Sequence, residues 1–415
     1  MTKSSLKLTQ LHTALGVRSF YDSVCYCNRC GMCASCCPSY TLTQQEPFSA
    51  RGRNQAIRLL LEGKLRISKN RKMLEKMVYT CSLCGRCLSA CPGQIPTVEH
   101  MLQLRRTLHL PVLPRTLFYL LRLRQVFPSL FVHTLRVGGW LKRIGITHLL
   151  AYVPGFTWLK HAHELLPGSL PKPFRGPKEE SPSLFYLPSL EAEFLMPQLA
   201  QETWQLAKQK YRVQVWNNTS SGLFEYMYGD LRRARLLVRN LIVRHSQLKK
   251  GKLPLLTDSM DVYNFLRQAP QLFEKNTLWQ TKAETFAKQI RFVTDLLPKK
   301  ILPKMNFPSP IQLMPTALVL HSQSCLDEAS KTLHTLFKKN FVKCEYTDDS
   351  LAPLGYGFVK HNLATVYALK AVQAIAAHQT QTVFVLSGLA ALELAFYLRT
   401  FYPTAHAYHL VELKG

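Results

Sequence analysis

Cys27-Asn-Arg-Cys30-Gly-Met-Cys33-Ala-Ser-Cys36-Cys37-Pro38 and Cys81-Ser-Leu-Cys84-Gly-Arg-Cys87-Leu-Ser-Ala-Cys91-Pro92 decide how this chain is read. Both follow C-x2-C-x2-C-x3-C-P, the spacing that holds paired [4Fe–4S] clusters. Two-residue gaps let the backbone curl so that three thiolates meet three irons of one cluster. The fourth thiolate, three residues on and followed by proline, points away and reaches the other cluster. Cys27, Cys30, Cys33 and Cys91 are therefore assigned to a first cluster, and Cys81, Cys84, Cys87 and Cys37 to a second. Zinc is the competing reading, but a tetrahedral zinc site needs two pairs of ligands, not two quartets each closed by proline. Ten of the twelve cysteines lie in or beside these runs. Cys25 and Cys36 are surplus. Cys36 competes with Cys37 as a ligand, yet only Cys37 keeps the three-residue gap and the proline. A small, semi-buried thiol is the expected role of both surplus residues.

Outside the runs, 415 residues suggest two or three domains. A hydrophobic content of 47% with 10% aromatics suits packed cores rather than disorder. Cysteines at ligand spacing argue for a reducing compartment. Residues 1–17 lack an apolar core and a small-residue cleavage site, so no secretory signal is expected. No run of eighteen or more apolar residues predicts a transmembrane helix. These features point to the cytoplasm. The formal charge is +28, of which two clusters would offset about four. The remaining field favours an acidic protein, anionic lipid or nucleic acid.

Along the chain, residues 1–20 read as a polar, partly helical lead-in and 21–104 as a ferredoxin-type domain with two clusters. The 43 residues between the runs (38–80) carry two helix signals, Asn54–Glu62 ending at Gly63 and Lys72–Tyr79. Residues 105–180 are a basic, amphipathic, proline-broken segment and linker. From Arg105 to His163 there are nine Lys or Arg and no Asp or Glu. Docking on anionic lipid and a set of core helices with charged tips both account for it. Residues 181–300 and 301–415 alternate strands and helices, as parallel sheets require. The signals are strands 183–187, 212–216, 316–320, 341–344 and 382–386, with helices 196–208, 327–339, 363–378 and 389–398. Strand, helix, strand occurs twice, consistent with an internal duplication. The expected class is α+β multidomain: a helical two-cluster domain followed by two α/β modules.

Both cysteine runs, Arg51-Gly-Arg53 and Leu60-Leu-Glu-Gly63 also carry a resemblance. The chain resembles the iron–sulfur subunit of glycolate oxidase. That subunit belongs to a wider group with lactate-utilisation iron–sulfur proteins and the cysteine-rich subunit of heterodisulfide reductase. The match is close through the cluster domain and loose to the C-terminus. The resemblance implies an electron-transfer subunit of a glycolate- or lactate-type dehydrogenase. Its partner would be an FAD-containing 2-hydroxy-acid oxidoreductase subunit. Electrons would pass to a quinone or other membrane acceptor, with the chain peripheral on the inner membrane face and no substrate-catalytic residue of its own.

The family's C-terminal half holds two modules named for a Cys-Cys-Gly signature, and here this sequence departs from it. In the first copy the signature falls on Ser220-Ser221-Gly222 after Asn217-Asn218. Its earlier cysteine falls near Leu190 and its later one near Met260 or Asp261. In the second copy the signature falls on Ala352-Pro353-Leu354 and the later cysteine on Leu389 after Gly388. Only Cys325, after His321-Ser-Gln-Ser, sits where the family has a cysteine, and Cys344 has no family role. Serine, alanine and leucine cannot replace thiolates at a metal. A third metal centre is therefore expected to be lost, giving about eight iron atoms per chain rather than about twelve.

Gly355-Tyr-Gly357 lacks the third glycine of a dinucleotide fingerprint, and there is no P-loop, so FAD is expected on the partner. His361, His378 and His406 are scattered, and no paired carboxylates or Ser-His-Asp order stand out. Arg29, Arg51, Arg53 and Arg86 lie near the cluster ligands, where positive charge favours the reduced cluster; solvated arginine is the alternative. Two other functional classes compete. A tRNA-linked iron–sulfur reductase would suit the charge, but no RNA-module or cobalamin signature is present, so nucleic acid is disfavoured as a partner. An assembly protein would keep its clusters for stability alone.

Overall fold

The computed structural model describes residues 10–13, 16–108, 119, 123, 126–151, 171–247, 252–274, 277–296, 311–314, 341–343 and 361–412. Its N-terminal part is helical apart from one antiparallel hairpin, β1 (Gln10–Thr13) with β2 (Gly16–Ser19). Within the expected lead-in, Gln10–Thr13 and Gly16–Ser19 pair as strands rather than forming helix, and residues 1–9 lie outside the described residues. Strand pairing across four residues a side satisfies backbone groups that a short isolated helix would leave open.

Three helices frame the cysteine loops. Ala50–Leu61 is capped by Ser49, whose Oγ accepts from the Gly52 amide at 2.9 Å, and it buries Ala50, Arg53, Asn54 and Ile57 at helical spacing. Ile67–Tyr79 buries Leu74, Met77, Val78 and Tyr79. Thr97–Thr107 buries Val98, Met101, Leu102, Leu104 and Arg105. The first two begin four and five residues before the sequence signals, because charged first turns hide helix starts from a search for apolar periodicity. Gly52 is required by contact: a Cβ there would lie 2.0 Å from the Glu46 carbonyl oxygen.

Two four-stranded parallel sheets follow. The first contains β3 (Leu184–Leu187), β4 (Val213–Val215), β5 (Leu255–Thr257) and β6 (Ile290–Phe292), in the order β4-β3-β5-β6. The second contains β7 (Ile311–Met314), β8 (Phe341–Lys343), β9 (Thr382–Val385) and β10 (His406–His409), in the order β10-β9-β7-β8. Numbered within its own sheet, each reads 2-1-3-4. One doubly wound order appears twice. β3 and β9 are buried along their whole length, as strands covered on both faces should be.

The predicted strand 316–320 and helix 327–339 lie outside the described residues, as do Cys325, Cys344 and Ala352-Pro353-Leu354. The second sheet instead begins at β7, whose four residues sit between Pro310 and Pro315. The helices expected at 363–378 and 389–398 are His361–Ala377 and Gly388–Phe401.

The two sheets meet at the carboxyl ends of their strands. The Met260 amide donates to the Leu386 carbonyl at 2.9 Å, and His409 Nε2 donates to the Asp258 carbonyl at 3.0 Å. Ser387 Oγ lies 3.4 Å from Glu191 Oε1. One apolar core runs from the N-terminal helices (Tyr79, Val98, Met101) into the first sheet's surroundings (Leu223, Met227, Tyr228). Among the described residues, no helix is long and apolar enough to cross a membrane.

Candidate metal centre

The two cysteine runs trace the same backbone, 54 positions apart (27→81, 30→84, 33→87, 37→91). Arg29 and Leu83 both take left-handed φ, 58° and 60°. Gly31 and Gly85 follow with φ of 85° and 72°, each the N-cap of a four-residue helix, Met32–Ser35 and Arg86–Ser89. The left-handed glycines turn the chain so that the third thiol of each run rises from the first turn of its helix. Cys36 caps the first helix where Ala90 caps the second, and Cys37 corresponds to Cys91. By this correspondence Cys36 occupies a position where the other run has no thiol.

The thiols group across the runs. Cys27, Cys30 and Cys33 line one cavity of about 150 Å³ together with Cys91 from the second run. Cys27 and Cys91 both lie close enough to act on the Cys33 thiol, which burial pushes up to about 11. Burial raises the Cys87 thiol strongly, and Cys84, Cys81, Cys37 and Cys36 all lie close enough to act on it. Thiols from both runs lie at each site, four at the first and five, counting Cys36, at the second; a [4Fe–4S] cluster takes four, so the residues fit the group.

Cys36 and Cys37 differ sharply. Burial pushes the Cys36 thiol up to about 12. Burial also raises Cys37, but the Arg53 charge and hydrogen bonds from Ser39, the Tyr40 amide and Arg53 outweigh it and lower its pKa. Arg53 Nη1 lies 3.6 Å from Cys37 Sγ, Nη2 donates to Ser39 Oγ at 2.8 Å, and Nε donates to the Met77 carbonyl at 3.3 Å. Thiolate is the ligating form, so these surroundings favour Cys37.

Arg51-Gly-Arg53 spans both sites. Two residues apart on one helix, Arg51 and Arg53 point to different sides. Arg51 lines the first cavity and is held by Glu46 through Nε at 2.7 Å and Nη2 at 2.8 Å. Arg53 is 1% exposed and serves the second site. Arg86 is also buried, whereas Arg29 is exposed and Arg51 partly so, so a solvated arginine is excluded only for Arg53 and Arg86.

Arg105 was not read from the sequence, where it begins the basic segment. It is buried, donates to the carbonyls of Cys81 and Met227, and lies over the rings of Tyr79 (5.1 Å) and Tyr228 (5.9 Å). Ser39 was also missed. The role of Arg105 depends on long-range packing, whereas Ser39 lies two residues after Cys37 and 3.2 Å from its sulfur.

The departures from the Cys-Cys-Gly signature converge in space. Leu190, Ser220 and Ser221 line one small crevice at the carboxyl ends of β3 and β4, together with Glu191 and Glu225. The Met260 amide binds Leu386, two residues before Gly388. No thiol is present at these positions.

No curated protein matches the chain. Residues 23–95, which contain both cysteine runs, match the family described as a 4Fe-4S dicluster domain.

Proposed function

We propose that this chain is the iron–sulfur electron-transfer subunit of a glycolate oxidase-like 2-hydroxy-acid oxidoreductase. Cys27, Cys30, Cys33 and Cys91 hold one [4Fe–4S] cluster, and Cys81, Cys84, Cys87 and Cys37 the other. The observation that supports the two-cluster reading most is the cavity where Cys27, Cys30 and Cys33 of one run meet Cys91 of the other, in two runs of matched backbone. When bound, the clusters supply one-electron exchange. The protein contributes position, burial and charge around them. A separate FAD-containing subunit delivers electrons, and a quinone or other membrane acceptor receives them.

The basic segment supports a place at a membrane surface. Helix Pro128–Arg143 buries Phe131 against Phe194, with ring centroids 5.1 Å apart. Its opposite side exposes Leu130, Val137 and Trp140, with the exposed Arg136 and Arg143 along one edge. Apolar residues and cations on one exposed stripe suit the interface of an anionic bilayer.

The test is an oxygen-free, mild-detergent affinity purification of the tagged chain from its native host, with mass spectrometry and a flavin spectrum. A co-purifying FAD-containing 2-hydroxy-acid oxidoreductase is expected. In that complex, Cys84→Ser should abolish electron transfer to quinone while leaving flavin reduction by substrate intact. Recovery of tRNA, or of no flavoprotein, would overturn the reading.

A further inference from the structure

We infer that Arg53, with Arg86 and Arg105, makes the Cys37/Cys81/Cys84/Cys87 site the higher-potential member of the pair and so gives the relay its direction. The inference rests on the ligand assignment proposed above.

The two sites have opposite electrostatic settings. At the first, Cys30 and Arg29 are exposed, and Arg51 is held by both oxygens of Glu46. Water screens one cation there and a carboxylate neutralises the other. At the second, Arg53, Arg86 and Arg105 are 1%, 2% and 4% exposed. Arg53 donates to the Cys37 sulfur itself, and Arg105 donates to the Cys81 carbonyl at 2.5 Å. Arg86 directly precedes Cys87 in the second run.

Reduction adds one negative charge to a cluster. Burial alone would oppose that addition. A charge-assisted donor on a ligand sulfur and two more buried cations favour it, and in a low-dielectric surround their charges are weakly screened. An electron entering at the exposed first site, leaving that site oxidised, therefore settles at the second. The second site adjoins Tyr79, whose hydroxyl donates to the Tyr228 carbonyl at 3.3 Å beside the first α/β unit. Arg53 is a positioning and tuning residue in this account, not a catalytic one.

The test is an anaerobic redox titration of the full chain followed by electron paramagnetic resonance, with iron counted on each sample. Two one-electron waves are expected in the unaltered protein. Arg53→Gln should lower the upper wave by a factor of ten or more in its reduction equilibrium, about 59 mV, and leave the lower wave in place. Arg53→Lys should restore most of the shift, and Arg51→Gln should leave the upper wave unmoved. Cys84→Ser should disturb the same wave that Arg53→Gln lowers. If Arg53→Gln loses iron, Arg105→Gln is read by the same criterion. Eight iron atoms with an unmoved upper wave, or a shift of the lower wave instead, would overturn the role of the arginines alone. Iron far below about eight in the unaltered protein would overturn the ligand assignment beneath it.

Discussion

Arg105 joins Cys81 to the C-terminal half of the protein: one guanidinium donates to the Cys81 carbonyl at 2.5 Å and to the Met227 carbonyl at 2.6 Å. A third donation reaches the Val78 carbonyl at 3.3 Å. Close by, Gly229 has φ of 94°, and a Cβ there would lie 2.8 Å from the Arg105 backbone. The second cysteine run and the first α/β unit are thus held by a single buried cation between two tyrosine rings.

Removing that cation takes the guanidinium from the Cys81 and Met227 carbonyls, while the Val78 carbonyl keeps the Cys81 amide. Arg105→Leu should therefore cost about 3 kcal/mol or more, since a buried group that loses a charged partner costs roughly 1–3 kcal/mol. Urea unfolding of the iron-loaded chain measures it. A loss below about 1 kcal/mol would mean that water or a neighbouring donor replaces the guanidinium.

Cys36 and Cys37 are adjacent in sequence but not in role. Cys37→Ser should lose about four of about eight iron atoms, while Cys36→Ser should keep them all. Iron and acid-labile sulfide analysis distinguishes the two. Equal losses would show that the match of Cys36 to Ala90 does not decide the ligand.

His100 is buried, with Ser23 Oγ 2.8 Å from Nε2 and Asn54 Oδ1 2.9 Å from Nδ1, and burial lowers its pKa to about 3. Unfolding lets this imidazole take up a proton below its ordinary value of 6.5. Its stability contribution is present above pH 6.5 and is lost as pH falls towards 3. His409, lowered by burial to about 4, adds in the same sense. Glu191, raised by burial to about 8, acts oppositely and loses stability as pH rises from 4.5 to 8. His100→Gln should flatten the acid side of the melting-temperature profile between pH 5 and about 6.5. An unchanged slope would exclude His100 as a source of acid sensitivity.

Trp140→Glu and Arg136→Glu together should weaken sedimentation with vesicles containing phosphatidylserine by tenfold or more, and added salt should weaken the unaltered protein's binding. Equal binding to neutral vesicles would remove the preference for anionic lipid, and binding to neither would remove the bilayer from the account and favour an acidic protein on this face.

Legibility followed the range of each interaction. The ligand spacing is local, so both quartets and the preference for Cys37 over Cys36 could be argued from twelve consecutive residues. The α/β alternation was visible because β3 and β9 are continuous apolar runs. β5 and β6 are only three residues long, and β10 carries two histidines, so their register comes from neighbours rather than composition. The repeated 2-1-3-4 order required the pairings themselves. Arg53 and Arg86 could be placed near clusters by sequence, but the contacts of Arg53, 14 to 24 residues away, and the whole role of Arg105 come from tertiary packing.

Iron and acid-labile sulfide per chain, measured on anaerobically purified protein alongside its reduced electron paramagnetic resonance spectrum, tests the central claim most directly. Two thiol quartets and a crevice without thiols predict about eight iron atoms, about eight sulfides and two interacting paramagnets. About four iron atoms would break the pairing of the runs, and about twelve would place a third cluster where Ser220 and Ser221 stand.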